Sequence, residues 1–245
     1  MNMASKLNAI ILDIEGTTTS ISFVKDILFP YAREHLDSFL TEHWGSEDCS
    51  TIVNLLRDQA SADGVTLPAA ESDPALLREG IRRYVLSLMD ADRKVTALKH
   101  LQGLIWTRGY LDGHIIGHVY GDVPAALEQW NRQDISVWIY SSGSIAAQKL
   151  LFGHTEHGSL LKHFSGHFDT TTGPKTEVES YRKIAAAIGS SPEQILFVTD
   201  ILKEAVAARE AGMRVNLAIR PGNAELSEVD RQQYTTITDF SQISV

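Results

Sequence analysis

The sequence predicts an α/β fold: a doubly wound parallel sheet with a helical cap inserted after the first strand. Three observations carry that expectation. Short apolar runs without polar alternation, at residues 9–12, 135–140, 195–199 and 214–219, read as strands buried on both faces. Helical patterns separate the later runs, the rhythm of strands joined by crossover helices. Between the first run and the second, residues 21–121 show apolar positions almost only at helical spacing. The core is therefore assigned to residues 1–20 and 122–245, and the helical insertion to residues 21–121.

Element by element, the first strand ends at Asp13, and Gly16 with the hydroxyl residues Thr17, Thr18, Thr19 and Ser20 breaks it. Helical spacing follows at residues 31–44, 50–60 and 76–89, with a polar loop of small residues at 61–74. Asp122 stands as N-cap to a helix over 124–133. The strand at 135–140 ends in Ser141-Ser142-Gly143-Ser144, and a helix over 145–152 follows. A helix over 176–188 stops at Gly189, and Ser191-Pro192-Glu193-Gln194 reads as a capping box opening a single turn. The strand at 195–199 ends at Asp200, a helix over 205–211 stops at Gly212, and the strand at 214–219 runs into the turn Pro221-Gly222-Asn223.

Composition excludes several classes. The 245-residue chain has a net charge of −9, which disfavours sequence-independent binding to nucleic acid, because displacing counterions needs basic patches. An anionic small substrate remains compatible, since a local site can be positive on a negative protein. Cys49 is the only cysteine, so an intrachain disulfide and a thiol zinc cluster are ruled out. No apolar run of membrane-spanning length occurs, and the first residues lack a basic-then-apolar leader, so the expected compartment is the cytoplasm. The histidine pairs His114/His118, His154/His157 and His163/His167 lack the glutamate companion of a zinc helix and lie near glycines, so a histidine metal site is discounted.

The chemistry-bearing residues sit where strands end. Ligands of doubly wound sheets bind beyond the carboxyl ends of the strands, and Asp13, Ser141 and Asp200 each follow one directly. In an extended run Asp13 and Glu15 would share a side, and adjacent acids need a cation or a proton between them. A carboxylate can attack phosphorus, and a second carboxyl can protonate the leaving oxygen. The alternative is a pair of solvated acids at a strand end. Asp200 could bind magnesium, with Glu204 one helical turn on holding a water of that ion; the alternative is an N-cap aspartate and a surface glutamate. Ser141 and Ser142 precede a helix, where hydroxyl and N–H groups suit a phosphate oxygen or merely cap the helix. Lys175 could neutralise a phosphate together with Asp13, or be a plain surface lysine.

Together these four segments resemble, in order and spacing, the haloacid dehalogenase superfamily of phosphotransferases, with one departure: Glu15 stands where most phosphatase members carry Asp. That leaves open whether Glu15 acts through its carboxyl, through its backbone oxygen on magnesium, or through both. The run from Asp13 to Lys25 is similar to the signature of the enolase-phosphatase family. Gly117-His118-Val119-Tyr120, Tyr140-Ser141-Ser142-Gly143-Ser144, Glu179-Ser180-Tyr181-Arg182 and Arg220-Pro221-Gly222-Asn223-Ala224 resemble that family too.

The resemblance implies a magnesium-dependent enzyme of methionine salvage that enolises 2,3-diketo-5-methylthiopentyl-1-phosphate and removes its phosphate to give the acireductone. A phosphatase for another small metabolite is the alternative. By the same resemblance Asp13 is nucleophile and metal ligand, Glu15 the acid/base and part of the metal site, Ser141 and Ser142 bind substrate, Lys175 holds phosphate and Asp200 binds magnesium. The base of the enolisation is left open, with Glu15 the first candidate. A monomer is expected. In the helical insertion Tyr31, Trp106, Arg108 and Tyr110 either face substrate or serve packing and solvation, the latter favoured.

Overall fold

The structure is a computed structural model and describes residues 6–69 and 73–245. Residues 1–5, and residues 70–72 of the loop expected at 61–74, lie outside the described residues. The chain forms two compact units, one comprising Met1–Val24 and Ile116–Val245, the other Lys25–Ile115.

Strand β1 (Ala9–Leu12) has all four residues completely buried. Burying Ile10, Ile11 and Leu12 contributes about 1.5–3 kcal/mol each, enough to fix the strand at the centre of its unit. The chain leaves the sheet through a π-helical segment, Phe23–Leu28.

The helical unit contains α1 (Phe29–Glu34), α2 (Leu36–Glu42), α3 (Glu47–Ala62), α4 (Pro74–Asp90) and α5 (Thr96–Leu111). The pattern at 31–44 is thus two helices, broken at His35. Leu36, Leu40, Ile52, Leu56, Ile81, Val85 and Leu101 pack into its own hydrophobic core. Ser46 caps α3 by accepting from the Cys49 N–H, and Asp73 caps α4 by accepting from the Ala75 N–H. The aromatic candidates are accounted for inside this unit. Tyr31 stacks on His35, Trp106 donates to the Leu28 carbonyl at 2.7 Å, Tyr110 is buried and Arg108 is exposed.

The sheet unit continues with α6 (Val123–Arg132), β2 (Ser136–Tyr140), α7 (Ile145–Gly153), β3 (Gly166–Phe168), α8 (Val178–Ile188), β4 (Ile195–Thr199), α9 (Leu202–Glu210), β5 (Arg214–Ala218), α10 (Glu228–Gln233) and β6 (Thr235–Ile237). All six strands are parallel, in the order β3-β2-β1-β4-β5-β6. Gly189 ends α8 in the left-handed conformation, as a C-terminal glycine should. Two expected caps differ. Asp122 makes no side-chain cap to α6, because its carboxylate accepts from Arg220 and from the Phe240 N–H. Ser191 makes no capping bond to the turn Pro192–Gln194, whereas a full capping box forms at Asp239 and Gln242. Among the described residues no helix is long and apolar enough to cross a membrane.

Candidate active site

Register aligns the ends of the three central strands. Leu12 pairs with Ile139 on one side and with Val198 on the other, so Asp13, Tyr140 and Thr199 stand abreast at the carboxyl edge. Ser141 and Asp200 follow on either side of Asp13. This is the edge where doubly wound sheets bind their ligands.

Asp13 is buried and held on both oxygens. Its Oδ1 accepts from the Ile14 N–H at 2.7 Å and lies 2.6 Å from the Lys175 ammonium. Its Oδ2 lies 3.1 Å from the Thr199 hydroxyl. Lys175 arrives from the turn before α8, and that turn is pinned from three sides. Tyr140 donates to the Gly173 carbonyl, Ser180 to that of Pro174 and Tyr181 to that of Lys175, at 2.9, 2.7 and 2.6 Å. The ammonium is only 8% exposed and bridges Asp13 to Glu204, which is 2.7 Å away. Burial alone would lower the Lys175 pKa, but the two carboxylates outweigh it and hold the ammonium above its ordinary value.

Glu204 faces Lys175 and the Thr199 hydroxyl, the latter at 2.9 Å. The hydroxyl has one proton and two carboxylate neighbours, Asp13 and Glu204, so it can donate to only one at a time. Burial, together with the charge of Asp13, raises Glu204 above the usual carboxylate range. Asp200 is pushed up to about 7, first by burial and then by Asp13, with Lys175 opposing. Two carboxylates thus share one ammonium while a third stands beside them.

Glu15 is placed differently from its neighbour. The strand stops at Leu12 and the chain bends at Ile14, whose carbonyl accepts from the N–H groups of Thr17, Thr18 and Thr19. Extended alternation is therefore not what orients Glu15: Asp13 is buried and Glu15 is exposed. Ser141 is buried, and its hydroxyl accepts from the Gly143 N–H at 3.2 Å; Ser142 is exposed. Ser144, rather than Ser141 or Ser142, caps α7.

The residues fit a hard divalent cation. The Asp200 Oδ1 is buried and, among the described residues, has no hydrogen-bond partner. Gly16 turns with φ of +68°, a left-handed conformation that suits glycine, and a Cβ there would collide with the Asp200 carboxylate. Among the described residues no three His, Cys, Asp or Glu side chains form a metal cluster. A cation at this edge would rest on two carboxylates, backbone oxygen and water, a donor set typical of magnesium. The histidines make local bonds instead: His118 Nδ1 accepts from the Ser20 N–H, His163 pairs with Asn131 and His167 with Gln148.

A further layer was not expected from sequence. Arg220 is buried between the rings of Tyr120 and Phe240, pairs with Asp122 at 2.7 Å and donates to the Thr17 carbonyl at 3.3 Å. Asn223 donates to the Gly16 carbonyl at 2.9 Å. The Arg220-Pro221-Gly222-Asn223 turn thereby grips two consecutive carbonyls of the loop that follows Asp13.

Residues 7–212 match the haloacid dehalogenase-like hydrolase family. The chain is 51% identical over 243 residues to the enolase-phosphatase E1 of Anopheles gambiae, covering 96% of this chain and 82% of that one. It is 47% identical to the enolase-phosphatase E1 of Salmo salar, covering 100% of this chain and 97% of that one. Among solved structures, the UTR4 protein of Saccharomyces cerevisiae superposes with a TM-score of 0.78 at 32% identity, over 97% of this chain and all of that one.

Proposed function

Because the chain belongs to the enolase-phosphatases among the haloacid dehalogenase-like hydrolases, we propose that it enolises 2,3-diketo-5-methylthiopentyl-1-phosphate and dephosphorylates it to the acireductone in methionine salvage. The observation that carries the chemistry is the buried pair of Asp13 and Lys175, 2.6 Å apart at the edge where three parallel strands end.

In this reading Asp13 attacks the phosphorus, forming a carboxylate–phosphorus bond as the ester oxygen departs. Glu15, exposed beside the buried Asp13, gives a proton to that oxygen and later takes one from the water that releases phosphate. Lys175 neutralises the phosphoryl oxygens and holds the Asp13 carboxylate in place. The exposed Ser142 and the buried Ser141 hydroxyl bind the substrate's polar end. Thr199 and Glu204 hold Lys175 and Asp13 in position.

Magnesium, held by Asp13, Asp200 and an oxygen of Glu15, supplies charge neutralisation at the phosphate and polarisation of the diketone oxygens. Asp200's buried, unpartnered oxygen is what favours a cation there. The helical unit serves as a cap that excludes water and contributes specificity. We place the enzyme in the cytoplasm as a monomer.

The test is turnover of the diketone phosphate by the purified chain. Acireductone and inorganic phosphate should form in equal amounts, in a magnesium-dependent manner, and Asp13→Asn should lower phosphate release at least about a thousandfold. Faster hydrolysis of sugar phosphates than of the diketone phosphate would replace this reading with a phosphatase for another small metabolite.

A further inference from the structure

The Arg220-Pro221-Gly222-Asn223 turn takes no part in the chemistry described so far, yet it lies against the Gly16 loop. The orientation of the Asn223 amide is settled by its neighbours. Its Nδ2 faces two backbone carbonyls, Gly16 at 2.9 Å and Ala218 at 3.1 Å. Flipping the amide would set its oxygen against both acceptors, so Nδ2 must be the group that faces them.

That choice commits the other end. Asn223 Oδ1 is buried and, among the described residues, has no donor. A Cβ built on Gly16 would lie 2.8 Å from this oxygen and 2.6 Å from Asp200 Cγ. The amide oxygen and the Asp200 carboxylate therefore flank the same glycine, and each side chain carries a buried acceptor with no partner. Leaving such an acceptor unpaired costs about 1–3 kcal/mol, a cost that a donor arriving in the working state would remove. Among the described residues no donor is bonded to either oxygen. A divalent cation on Asp200 brings the missing donors, because magnesium keeps several of its waters.

We propose that Asn223 is a positioning residue of the cation site: its Nδ2 fixes the Gly16 loop, and its Oδ1 accepts a hydrogen bond from a water carried by the magnesium bound at Asp200. The inference rests on the magnesium-dependent reading above and extends the site to the turn after β5, which the superfamily pattern does not include. It gives Asn223 two separable duties, a donor duty toward the loop and an acceptor duty toward the bound ion.

The two duties are tested by titrating magnesium chloride into the full-length, metal-stripped protein by calorimetry, with melting midpoints recorded alongside. Asn223→Ala removes both duties and should weaken magnesium binding about tenfold, the size expected for loss of a partner beyond the direct ligands. Turnover of the variant should recover at raised magnesium. Asn223→Asp loses the donor but keeps an acceptor. It should melt lower than the native protein while binding magnesium at least as tightly as native. If both variants bind magnesium with native affinity, or if both lose affinity equally, the acceptor duty is wrong and Asn223 serves the loop alone. If Asn223→Ala does not fold, the Asn223→Asp comparison decides: a tenfold loss of affinity there overturns the proposal. Absence of magnesium binding by the native protein would instead overturn the metal-dependent reading on which it rests.

Discussion

Replacing Lys175 with methionine isolates the electrostatics of the site. The side chain keeps its length and most of its volume but loses the charge between Asp13 and Glu204. At an effective dielectric of about 20, an ammonium 2.6 Å from a carboxylate is attracted by about 6 kcal/mol, and a second carboxylate at 2.7 Å adds a similar amount. Desolvation of several kcal/mol per ion offsets most of this, and removing one partner of a buried pair costs about 3–5 kcal/mol. For a chain of this size that corresponds to a fall in melting midpoint of about 10 °C. The loss should depend on pH. Native Lys175 is held above its ordinary pKa by the two acids, so its charge is constant from weak acid to weak base. In Lys175→Met, Asp13 and Glu204 face each other without a countercharge, and the folded state holds a proton on the pair. Glu204, already raised by burial and by Asp13, loses the opposing effect of Lys175 and rises further, so stability is present at low pH and lost as pH rises through the raised value. Thermal unfolding in chelator at weakly acidic and weakly basic pH measures this directly. The deficit should approach its full size at basic pH and shrink on the acid side. A deficit below about 1 kcal/mol, or one of equal size at both pH values, refutes the picture of two buried acids sharing one ammonium.

Two further outcomes follow from the same cluster. Asp200 is raised to about 7 by burial and by Asp13, so in the metal-free protein its contribution to stability is present below the ordinary carboxylate range and lost as pH rises through 7. Magnesium must displace that proton, and should therefore raise the melting midpoint more at pH 8 than at pH 6; equal increments would count against Asp200 as a ligand. Gly16→Ala forces a side chain into a left-handed backbone at φ +68° and into the Asp200 carboxylate. It should cost about 1–3 kcal/mol of stability and abolish magnesium-dependent stabilisation, whereas Gly45→Ala, at a glycine of positive φ with open space around it, should leave the magnesium response intact.

The central strands were legible because burial on both faces leaves a signature that alternation cannot imitate. Ala9-Ile10-Ile11-Leu12 and Ile195-Leu196-Phe197-Val198 are uninterrupted apolar runs and occupy the middle of the sheet. The edges were not legible. Gly166–Phe168 and Thr235–Ile237 are three-residue strands, half-buried or exposed except at Ile237, and too short to set a period. Helix α5 escaped notice as a separate element because Leu98, Leu104, Ile105 and Trp106 spread its apolar residues over several faces. Asp122 shows why a cap signal can mislead. Its position before a helix is right for capping, but a buried guanidinium 2.7 Å away is the stronger partner for its carboxylate. Glu204 likewise has the spacing of a residue near a cation's water, and its observed neighbours are Lys175 and Thr199. The Arg220 and Asn223 contacts join residues about 200 positions apart, and no local pattern encodes them.

The charge balance of the site explains why the loop from Gly16 to Ser20 is tied down so heavily. Asp13, Glu15, Asp200 and Glu204 stand against a single ammonium, that of Lys175, and three of the four acids are buried. A phosphate monoester brings further negative charge to this edge, so without a cation its approach is repelled by the very groups that must act on it. In the proposed reading a cation would correct the balance only if Asp13, Asp200 and the Gly16 turn hold a fixed spacing, since magnesium tolerates little departure from its octahedral geometry. Arg220 and Asn223 supply that rigidity from the turn after β5, through backbone carbonyls that no substitution at positions 16 or 17 can remove. Loss of the Arg220 anchor should thus be felt first as weaker cation and phosphate binding, with unfolding of the sheet a later consequence.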